Sequence, residues 1–266
     1  GKKFAVASGS KVVPVCVYES KNDWWIAKMI KKHRSTVTSV AWHPNSQLLA
    51  TGCTDFKCRV FSTYNPQVDS PVSTPLGKSD KTAFGDLLVE FGSSSGWIQD
   101  CAWSPSGDSL AFVGHDSSVS FVTFAKGSPV CQTLKTKNLP NQVVMYLSDA
   151  IVVAGGHSFN PEIYSCSNGS WSYAGNLDKE ASSSSPTKKA ASNFSAARSI
   201  WANKTTRGQD NNAGSASLWT QHHNCITNIK PYSDSTLVKF EKFSTTGLDG
   251  RLVIWDKSDL KNAGVS

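Results

Sequence analysis

The sequence predicts an all-β protein built from repeated units of short strands, and three observations support this fold class. Aromatic residues are frequent, with 12 Phe and 9 Trp among 266 residues, and aromatic side chains favour strands over helices. The apolar runs are short and end at Pro, Gly, Asn or Asp, which are residues that form turns. Related segments also recur along the chain, which is typical of architectures that stack one unit against the next.

The clearest copies of the repeat occupy residues 37–64, 97–124 and 225–256. Each copy starts with a largely apolar strand, continues through a second strand, and turns at an acidic residue before a third strand. Asp suits this turn because its carboxylate can accept hydrogen bonds from backbone amides two residues further on. The turn residues are Asp55, Asp116 and Asp249. An outer fourth strand follows each unit, at residues 24–30, 87–91, 130–134 and 171–173.

This arrangement predicts a WD-repeat β-propeller, in which four-stranded blades of about 40–45 residues surround a central axis. A weaker copy covers residues 142–164, and the chain opens at the second strand of a further blade, near Phe4. Only Trp255–Asp256 carries the Trp-Asp dipeptide that names the repeat. We expect a single propeller domain over residues 1–266, with about five of the seven blades of the commonest ring and a truncation at the N-terminal side.

Two stretches do not fit a blade. Residues 65–84 are polar and contain Pro, so we expect a surface loop insertion within the second blade. Residues 179–217 form a Ser-rich basic insertion, with six Lys or Arg and one acidic residue between Lys179 and Arg207. Within it, an apolar stripe follows the spacing of one helix face, so this insertion is expected to be partly helical or disordered.

The late insertion supplies the first set of candidate partner-binding residues. An exposed Phe and Trp on a basic arm would gain stability by docking on a partner, because each aromatic side chain buries about 150–250 Å². The alternative is a disordered linker whose aromatic residues fold back on the propeller. The candidates are Phe194, Ile200 and Trp201, with the basic residues Lys188, Lys189 and Arg198 around them.

A second candidate is the basic run Lys31, Lys32 and Arg34, which directly follows a strand containing two consecutive Trp. It leads from an outer strand into the next blade and should therefore lie on one rim of the ring. The run is either a solvated loop or a patch for an acidic segment. The net charge of +7 is spread along the chain, so it favours acidic partners without indicating nucleic acid.

No motif in the sequence predicts catalysis, a cofactor or a metal site. His222 and His223 are neighbours on one strand and would point to opposite faces, so we expect one of them to join a structural polar network. His115–Asp116 aligns with the turn residues of the other copies and needs no catalytic role. The seven Cys do not form a disulfide pattern, which favours a reducing cytoplasm, and no apolar run is long enough for stable membrane insertion.

Several of these segments resemble subunit 1 of the actin-related protein 2/3 complex, and the similarity extends over essentially the whole chain. The double Trp and the Asn-Cys-Ile-Thr start of the last copy are more specific than general WD-repeat features. The matching segments are residues 22–28, 35–45, 58–62, 103–107, 110–115, 224–227 and 245–250.

The resemblance implies a non-catalytic, seven-bladed subunit of a seven-subunit assembly that nucleates branched actin filaments in the cytoplasm and cytoskeleton. It implies three kinds of partner: other subunits of the complex, the actin filament, and the acidic tails of nucleation-promoting factors. It also implies that the late insertion projects toward the filament or the activator. The alternative is a different WD-repeat scaffold, such as an adaptor for a ligase or for trafficking machinery.

Overall fold

The computed structural model describes residues 2–92, 94–124, 128–179, 219–232 and 242–265. In these ranges the chain forms five antiparallel sheets, which we call blades 1 to 5, and one small two-stranded ribbon. The all-β fold class predicted from the sequence is confirmed.

The strands follow one another in chain order within each blade. Blade 1 contains β1 (Lys3–Ala5), β2 (Val13–Glu19) and β3 (Trp24–Ile30). Blade 2 contains β4 (Val37–Trp42), β5 (Leu48–Cys53), β6 (Cys58–Ser62) and β9 (Leu87–Phe91), with the ribbon β7 (Ser73–Thr74) and β8 (Gly77–Lys78) inserted before β9.

The remaining blades continue the same pattern. Blade 3 contains β10 (Ile98–Trp103), β11 (Ser109–Gly114), β12 (Ser118–Thr123) and β13 (Val130–Lys135). Blade 4 contains β14 (Asn141–Ser148), β15 (Ile151–Gly156), β16 (Glu162–Ser167) and β17 (Ser170–Asn176). Blade 5 contains β18 (Ile226–Pro231), β19 (Lys242–Gly247) and β20 (Leu252–Asp256), followed by helix α1 (Lys257–Leu260) and a 3₁₀ turn at Lys261–Ala263.

The first strands of blades 2 to 5 lie around a common axis. β4, β10, β14 and β18 line one cavity of about 860 Å³, as the inner strands of a propeller do. The predicted outer strands are present as β3, β9, β13 and β17. The three strands of blade 1 take the second, third and fourth positions of a blade, because β3 leads directly into the inner strand of blade 2.

Apolar side chains fill the space between each pair of neighbouring blades. Alternate residues of a strand point to opposite faces of the sheet, so a blade with neighbours on both sides is apolar on both faces. This explains why all six residues of β5 are buried. Members of the four inter-blade clusters include Val15 and Phe61, Ile98 and Phe112, Phe121 and Tyr164, and Ile226 and Trp255.

One carboxylate joins three blades at the wall of the central cavity. Asp100 on β10 accepts hydrogen bonds from the Ser39 hydroxyl of blade 2 at 2.6 Å and from the Val144 N–H of blade 4 at 3.0 Å. It also accepts a hydrogen bond from the N–H of Cys101 at 2.9 Å. Burial raises the pKa of Asp100, although these three hydrogen bonds act in the opposite direction.

The insertion at residues 65–84 is an ordered excursion between β6 and β9. It contains the β7–β8 ribbon and a 3₁₀ turn at Ser79–Lys81. Lys3 of blade 1 fixes its base by donating to the carbonyl of Thr63 at 3.1 Å and by pairing with Asp69. Burial lowers the pKa of Lys3, whereas the hydrogen bond to Asp69 raises it. The excursion is therefore tied to blade 1 as well as to blade 2.

None of the helices in the described part of the chain is both long and apolar enough to cross a bilayer. All seven cysteines lie in the described ranges, and none of them forms a disulfide. Four of them are buried, whereas Cys131 on the outer strand β13 is exposed.

Candidate partner-binding surface

The outer strand of each of blades 1 to 4 ends, and the inner strand of the next blade begins, at one face of the propeller, which we call the upper face. In blades 2 to 5 the residue after the second strand donates a backbone hydrogen bond to the connection that enters the same blade. The four bonds are Thr54 to Thr36 at 2.9 Å, His115 to Trp97 at 2.8 Å, His157 to Pro140 at 3.1 Å, and Leu248 to Cys225 at 2.9 Å. The repeat therefore places equivalent residues at equivalent points of this face.

In blade 5 a chain of polar side chains supports the upper face. The Asp249 carboxylate accepts hydrogen bonds from the N–H groups of His223 at 2.7 Å and Arg251 at 3.0 Å, and from His222 Nδ1 at 3.2 Å. His222 Nε2 lies 2.7 Å from the Thr245 hydroxyl, which accepts a hydrogen bond from Trp255 Nε1 at 2.8 Å. His222 is therefore a structural residue, and it is the one of the two neighbouring histidines that joins the polar network predicted from the sequence.

The same network fixes the charge of its acidic member. Burial acts to raise the pKa of Asp249, but the two backbone N–H groups and His222 outweigh it and lower the pKa to about 2. Asp249 is thus ionised at neutral pH. Its charge is used to organise the turn, since each of its bonds goes to the 222–223 segment or to Arg251.

The candidate basic run lies on the upper face of blade 2. The Arg34 N–H donates to Asp55 at 3.2 Å, which anchors the connection to the turn after β5. His33 is buried and its ring lies 2.9 Å from the Thr51 hydroxyl, so it holds the same connection from below. The side chains of Lys31, Lys32 and Arg34 are exposed, as predicted for a rim position.

Exposed apolar side chains accompany these cations on the upper face. Trp97 is 51% exposed and stacks on His115 with ring centroids 5.7 Å apart. Leu139 and Leu248 occupy the corresponding regions of blades 4 and 5 and are also exposed. The sequence did not predict Trp97 as a surface residue, because its position was taken as the first residue of a repeat copy. The other copies carry Thr36, Pro140 and Cys225 at this position, so a Trp found only in blade 3 was the signal that could have identified it.

The late insertion starts and ends on the same face. It connects β17 of blade 4 to β18 of blade 5, and Asp178 before it accepts a hydrogen bond from the Gln221 N–H after it at 2.8 Å. Its candidate residues lie outside the described part of the chain. They are Phe194, Ile200, Trp201, Lys188, Lys189 and Arg198.

Comparison with known proteins decides the family. The WD domain, G-beta repeat model matches residues 25–62. Actin-related protein 2/3 complex subunit 1A of Arabidopsis thaliana is 40% identical over 261 residues, which cover 97% of this chain and 68% of that protein. This chain belongs to the actin-related protein 2/3 complex subunit 1 family.

Relatives from distant lineages agree with this assignment. Actin-related protein 2/3 complex subunit 1A-A of Xenopus laevis is 42% identical over 265 residues, covering 98% of this chain and 68% of the relative. Actin-related protein 2/3 complex subunit 1 of Schizosaccharomyces pombe is 34% identical over 267 residues, covering 95% and 70%. The family resemblance inferred from the sequence is confirmed.

Two acidic groups of blades 3 and 4, Asp116 and Glu162, are held in hydrogen-bond networks within the blades. In the described part of the chain, no group of three or more His, Cys, Asp or Glu residues is arranged to hold a metal ion. Glu162 is fully buried in blade 4, where Asn138, Asn141 and the Tyr164 hydroxyl donate to it. Asp116 accepts hydrogen bonds from Ser94, Ser95 and Ser118.

Proposed function

We propose that this chain is a non-catalytic structural subunit of the actin-related protein 2/3 complex and supports the nucleation of branched actin filaments in the cytoplasm. One observation carries the proposal: relatives that match almost the whole chain are named as subunit 1 of that complex. The polar clusters of blades 3, 4 and 5 are built into turns and sheets, which suits a scaffold.

The upper face is the surface that we assign to partners. The exposed cations Lys31, Lys32 and Arg34 suit the acidic tails of nucleation-promoting factors. The late insertion begins and ends on this face, so Phe194, Ile200 and Trp201 are proposed to contact the actin filament or the activator. Neighbouring subunits of the complex are the third class of partner.

Affinity purification tests membership in the complex. The tagged 266-residue chain is expressed in cells and recovered from cytosol, and the bound proteins are identified by mass spectrometry. Recovery of actin-related proteins with the small subunits supports the proposal. Recovery of a ligase core or a trafficking coat without actin-related proteins would defeat it in favour of a different WD-repeat adaptor.

Branching assays on the assembled complex test the partner surface. Replacing Phe194→Ala together with Trp201→Ala should lower the branching rate severalfold while leaving the stability of the blades nearly unchanged, because the pair lies in the insertion. Equal branching by the parent and variant complexes would remove the insertion from the proposal.

Charge reversal tests whether the basic run itself, rather than the net charge of the protein, attracts acidic tails. Replacing Lys31→Glu and Lys32→Glu should weaken binding of acidic activator tails, with a loss that shrinks as salt increases. Lys78→Glu with Lys81→Glu is the matched control, because these exposed lysines belong to the 65–84 excursion. An equal loss in the control would show that net charge, rather than the basic run, attracts the tails.

A further inference from the structure

The two faces of the propeller present charge differently. On the upper face, exposed cations come from a turn of blade 1 and from the connections that enter blades 2 and 4. The blade 1 turn lies on this face, because the Val37 N–H at the start of β4 donates to the Ser8 carbonyl in that turn at 3.1 Å. The exposed cations of the upper face include Lys11, Lys31, Lys32, Arg34 and Lys137.

The described carboxylates at the upper face are turned toward the protein. Each accepts a hydrogen bond from another group of the chain, and the set contains Asp55, Glu90, Asp116, Glu162, Asp178 and Asp249. The side chains of Asp55, Asp116 and Asp249 are only 10%, 12% and 7% exposed. Lys57 and Lys135 lie beside two of these carboxylates and are therefore left out of the cations above. The charge that this face directs at the solvent is positive.

The opposite face, which we call the lower face, exposes both signs of charge. It carries the turns between the first and second strands of blades 2 to 4, where Asp108 and Asp149 are exposed. The 65–84 excursion leaves β6 on this side, and its Lys78 and Lys81 are also exposed. The excess of positive charge is therefore directed through the upper face, which orients the molecule toward an anionic surface.

Large apolar side chains stand among the cations of the upper face. Phe56 and Leu248, in the turns after the second strands of blades 2 and 5, are 44% and 67% exposed. Trp97 and Leu139, in the connections into blades 3 and 4, are 51% and 59% exposed. Each of these four blades thus contributes one exposed apolar side chain, and the four are distributed around the face instead of meeting in one groove.

The backbone at Phe56 makes this exposure less expected. Phe56 has a φ of 70°, and the equivalent turn residues Ser117 and Gly250 have φ values of 60° and 74°. This left-handed region favours Gly and small polar residues, and a bulky residue seldom adopts it. The turn is closed by a hydrogen bond from the Phe56 N–H to the Cys53 carbonyl at 3.3 Å. The aromatic ring is therefore held outward at a position that packing within the blade does not require.

A bilayer interface matches this combination better than a protein segment does. Cations spread over a plane are each attracted by anionic headgroups, while Trp, Phe and Leu side chains enter the boundary between headgroups and acyl chains. A bound protein segment instead places its anchors in pockets clustered near the centre of an interface. The apolar side chains of the upper face come from four different blades, which favours a broad surface as the partner.

We propose that the upper face docks on an anionic bilayer surface, with Phe56, Trp97 and Leu248 entering the headgroup region and Lys11 and Lys137 beside lipid phosphates and carboxylates. The contact is peripheral and reversible, because it uses side chains at turns and no spanning segment. The inference goes beyond the proposed function and does not rest on membership in the complex. An acidic tail bound at Lys31, Lys32 and Arg34 would leave Lys11 and Lys137 unused, so these two lysines distinguish the lipid from a protein partner.

Cosedimentation with vesicles tests the electrostatic part of the proposal. The full 266-residue chain is titrated with phosphatidylcholine vesicles containing about one-third phosphatidylserine, and binding to pure phosphatidylcholine should be at least about tenfold weaker. Replacing Lys11→Glu with Lys137→Glu should weaken binding to the anionic vesicles at least about tenfold. The matched control on the lower face, Lys78→Glu with Lys81→Glu, changes the net charge equally and should stay within about twofold.

Two further measurements test the apolar part. Trp97→Ala should weaken vesicle binding about fivefold, whereas Trp24→Ala, which removes a 69% exposed Trp from an outer strand, should stay within about twofold. Brominated phosphatidylcholine in the vesicles should quench part of the tryptophan fluorescence of the parent chain. Trp97→Phe should retain vesicle binding and lose that part of the quenching, because Trp97 is the indole that enters the lipid.

The outcomes that would overturn the proposal are distinct from those that support it. Equal losses in the two charge-reversal pairs, or unchanged binding and quenching in the Trp97 variants, would show general electrostatic attraction to vesicles. Binding to an acidic decapeptide that depends on Trp97, with no binding to anionic vesicles, would assign the face to a protein partner instead. Circular dichroism confirms that each variant is folded.

Discussion

Blades 5 and 2 have polar residues at equivalent buried positions, but the hydrogen bonds between those residues differ. In blade 5, Asp249, His222, Thr245 and Trp255 form one continuous chain of hydrogen bonds. In blade 2 the corresponding His33 and Thr51 are also bonded, at 2.9 Å. The last position is Phe61, however, whose ring packs against His33 with centroids 5.2 Å apart and offers no donor.

The acidic residue of blade 2 has also changed partner. Asp55 pairs with both terminal nitrogens of the Arg59 guanidinium, at 3.0 and 2.9 Å. Arg59 is 2% exposed and also bonds Glu90 on the outer strand at 2.7 Å. An ion-pair network and ring packing therefore replace the polar chain of blade 5. In blade 2 the link from the acidic residue to the histidine is lost, and His33 Nδ1 is buried with no hydrogen-bond partner among the described residues. The comparison teaches that the repeat keeps its polar residue types while the bonds between them can differ from blade to blade.

The largest expected effect comes from removing the end of the polar chain in blade 5. Trp255 is 1% exposed and packs in the cluster between blades 4 and 5. Trp255→Ala should lower the free energy of unfolding by about 3–5 kcal/mol, because it leaves a large cavity and removes one of the two hydrogen bonds of the Thr245 hydroxyl. Denaturant titration measures the change. Trp24→Ala is the control and should cost less than about 0.5 kcal/mol, since Trp24 is 69% exposed.

The second largest effect should be the pH dependence of stability, which should differ between blades 2 and 5. Burial, together with the charge of Arg59, lowers the pKa of His33 to about 4. The unfolded chain, with a His pKa near 6.5, then binds more protons than the folded chain between these values, so stability is lost as pH falls from about 6.5 to 4. The loss attributable to His33 should reach up to about 3 kcal/mol. A His33→Gln variant with the same pH profile as the parent would contradict this assignment.

The acidic residue of blade 5 should give a smaller effect at lower pH. The folded pKa of Asp249 is about 2, below its unfolded value of 3.8, so its contribution is present at neutral pH and is lost as pH falls from about 4 to 2. Asp249→Asn should cost about 2 kcal/mol at pH 7 and flatten the acid limb of the stability curve. Thermal unfolding at several pH values provides the readout, and an unchanged acid limb would rule out Asp249 as its source.

The smallest effect should come from giving blade 5 the residue type of blade 2. Trp255→Phe keeps most of the apolar packing but removes the hydrogen bond from the indole N–H to Thr245. The expected loss is about 1 kcal/mol, the usual net contribution of one such bond, plus a small packing term. A loss as large as that of Trp255→Ala would show that ring shape, and not the polar chain, distinguishes the two blades.

Features confined to one repeat copy could be predicted from the sequence. The turn at Asp249, the outer strand at residues 87–91 and the structural role of His222 each depend on residues close together in a copy of the repeat. The exposed basic run was also predictable, because it lies in a connection that must reach the next blade. These inferences need only the order of the strands within a blade.

Features that arise between blades could not be predicted. Lys135 and Tyr173 line one groove of about 480 Å³ on the outer circumference, although they belong to different sheets, those of blades 3 and 4. Asp100 bonds Ser39 and Val144, which lie 61 and 44 residues away in the chain. Sequence patterns report the period of a strand, whereas these contacts depend on the angle between successive sheets.

The position of Asp100 couples the two boundaries of blade 3. Its carboxylate bonds blade 2 on one side and blade 4 on the other. If the boundary with blade 2 opens, Asp100 loses the Ser39 hydroxyl, and if the boundary with blade 4 opens, it loses the Val144 N–H. Either loss removes a hydrogen bond that offsets the burial of this group, so opening one boundary raises the free energy of a side chain that both boundaries share.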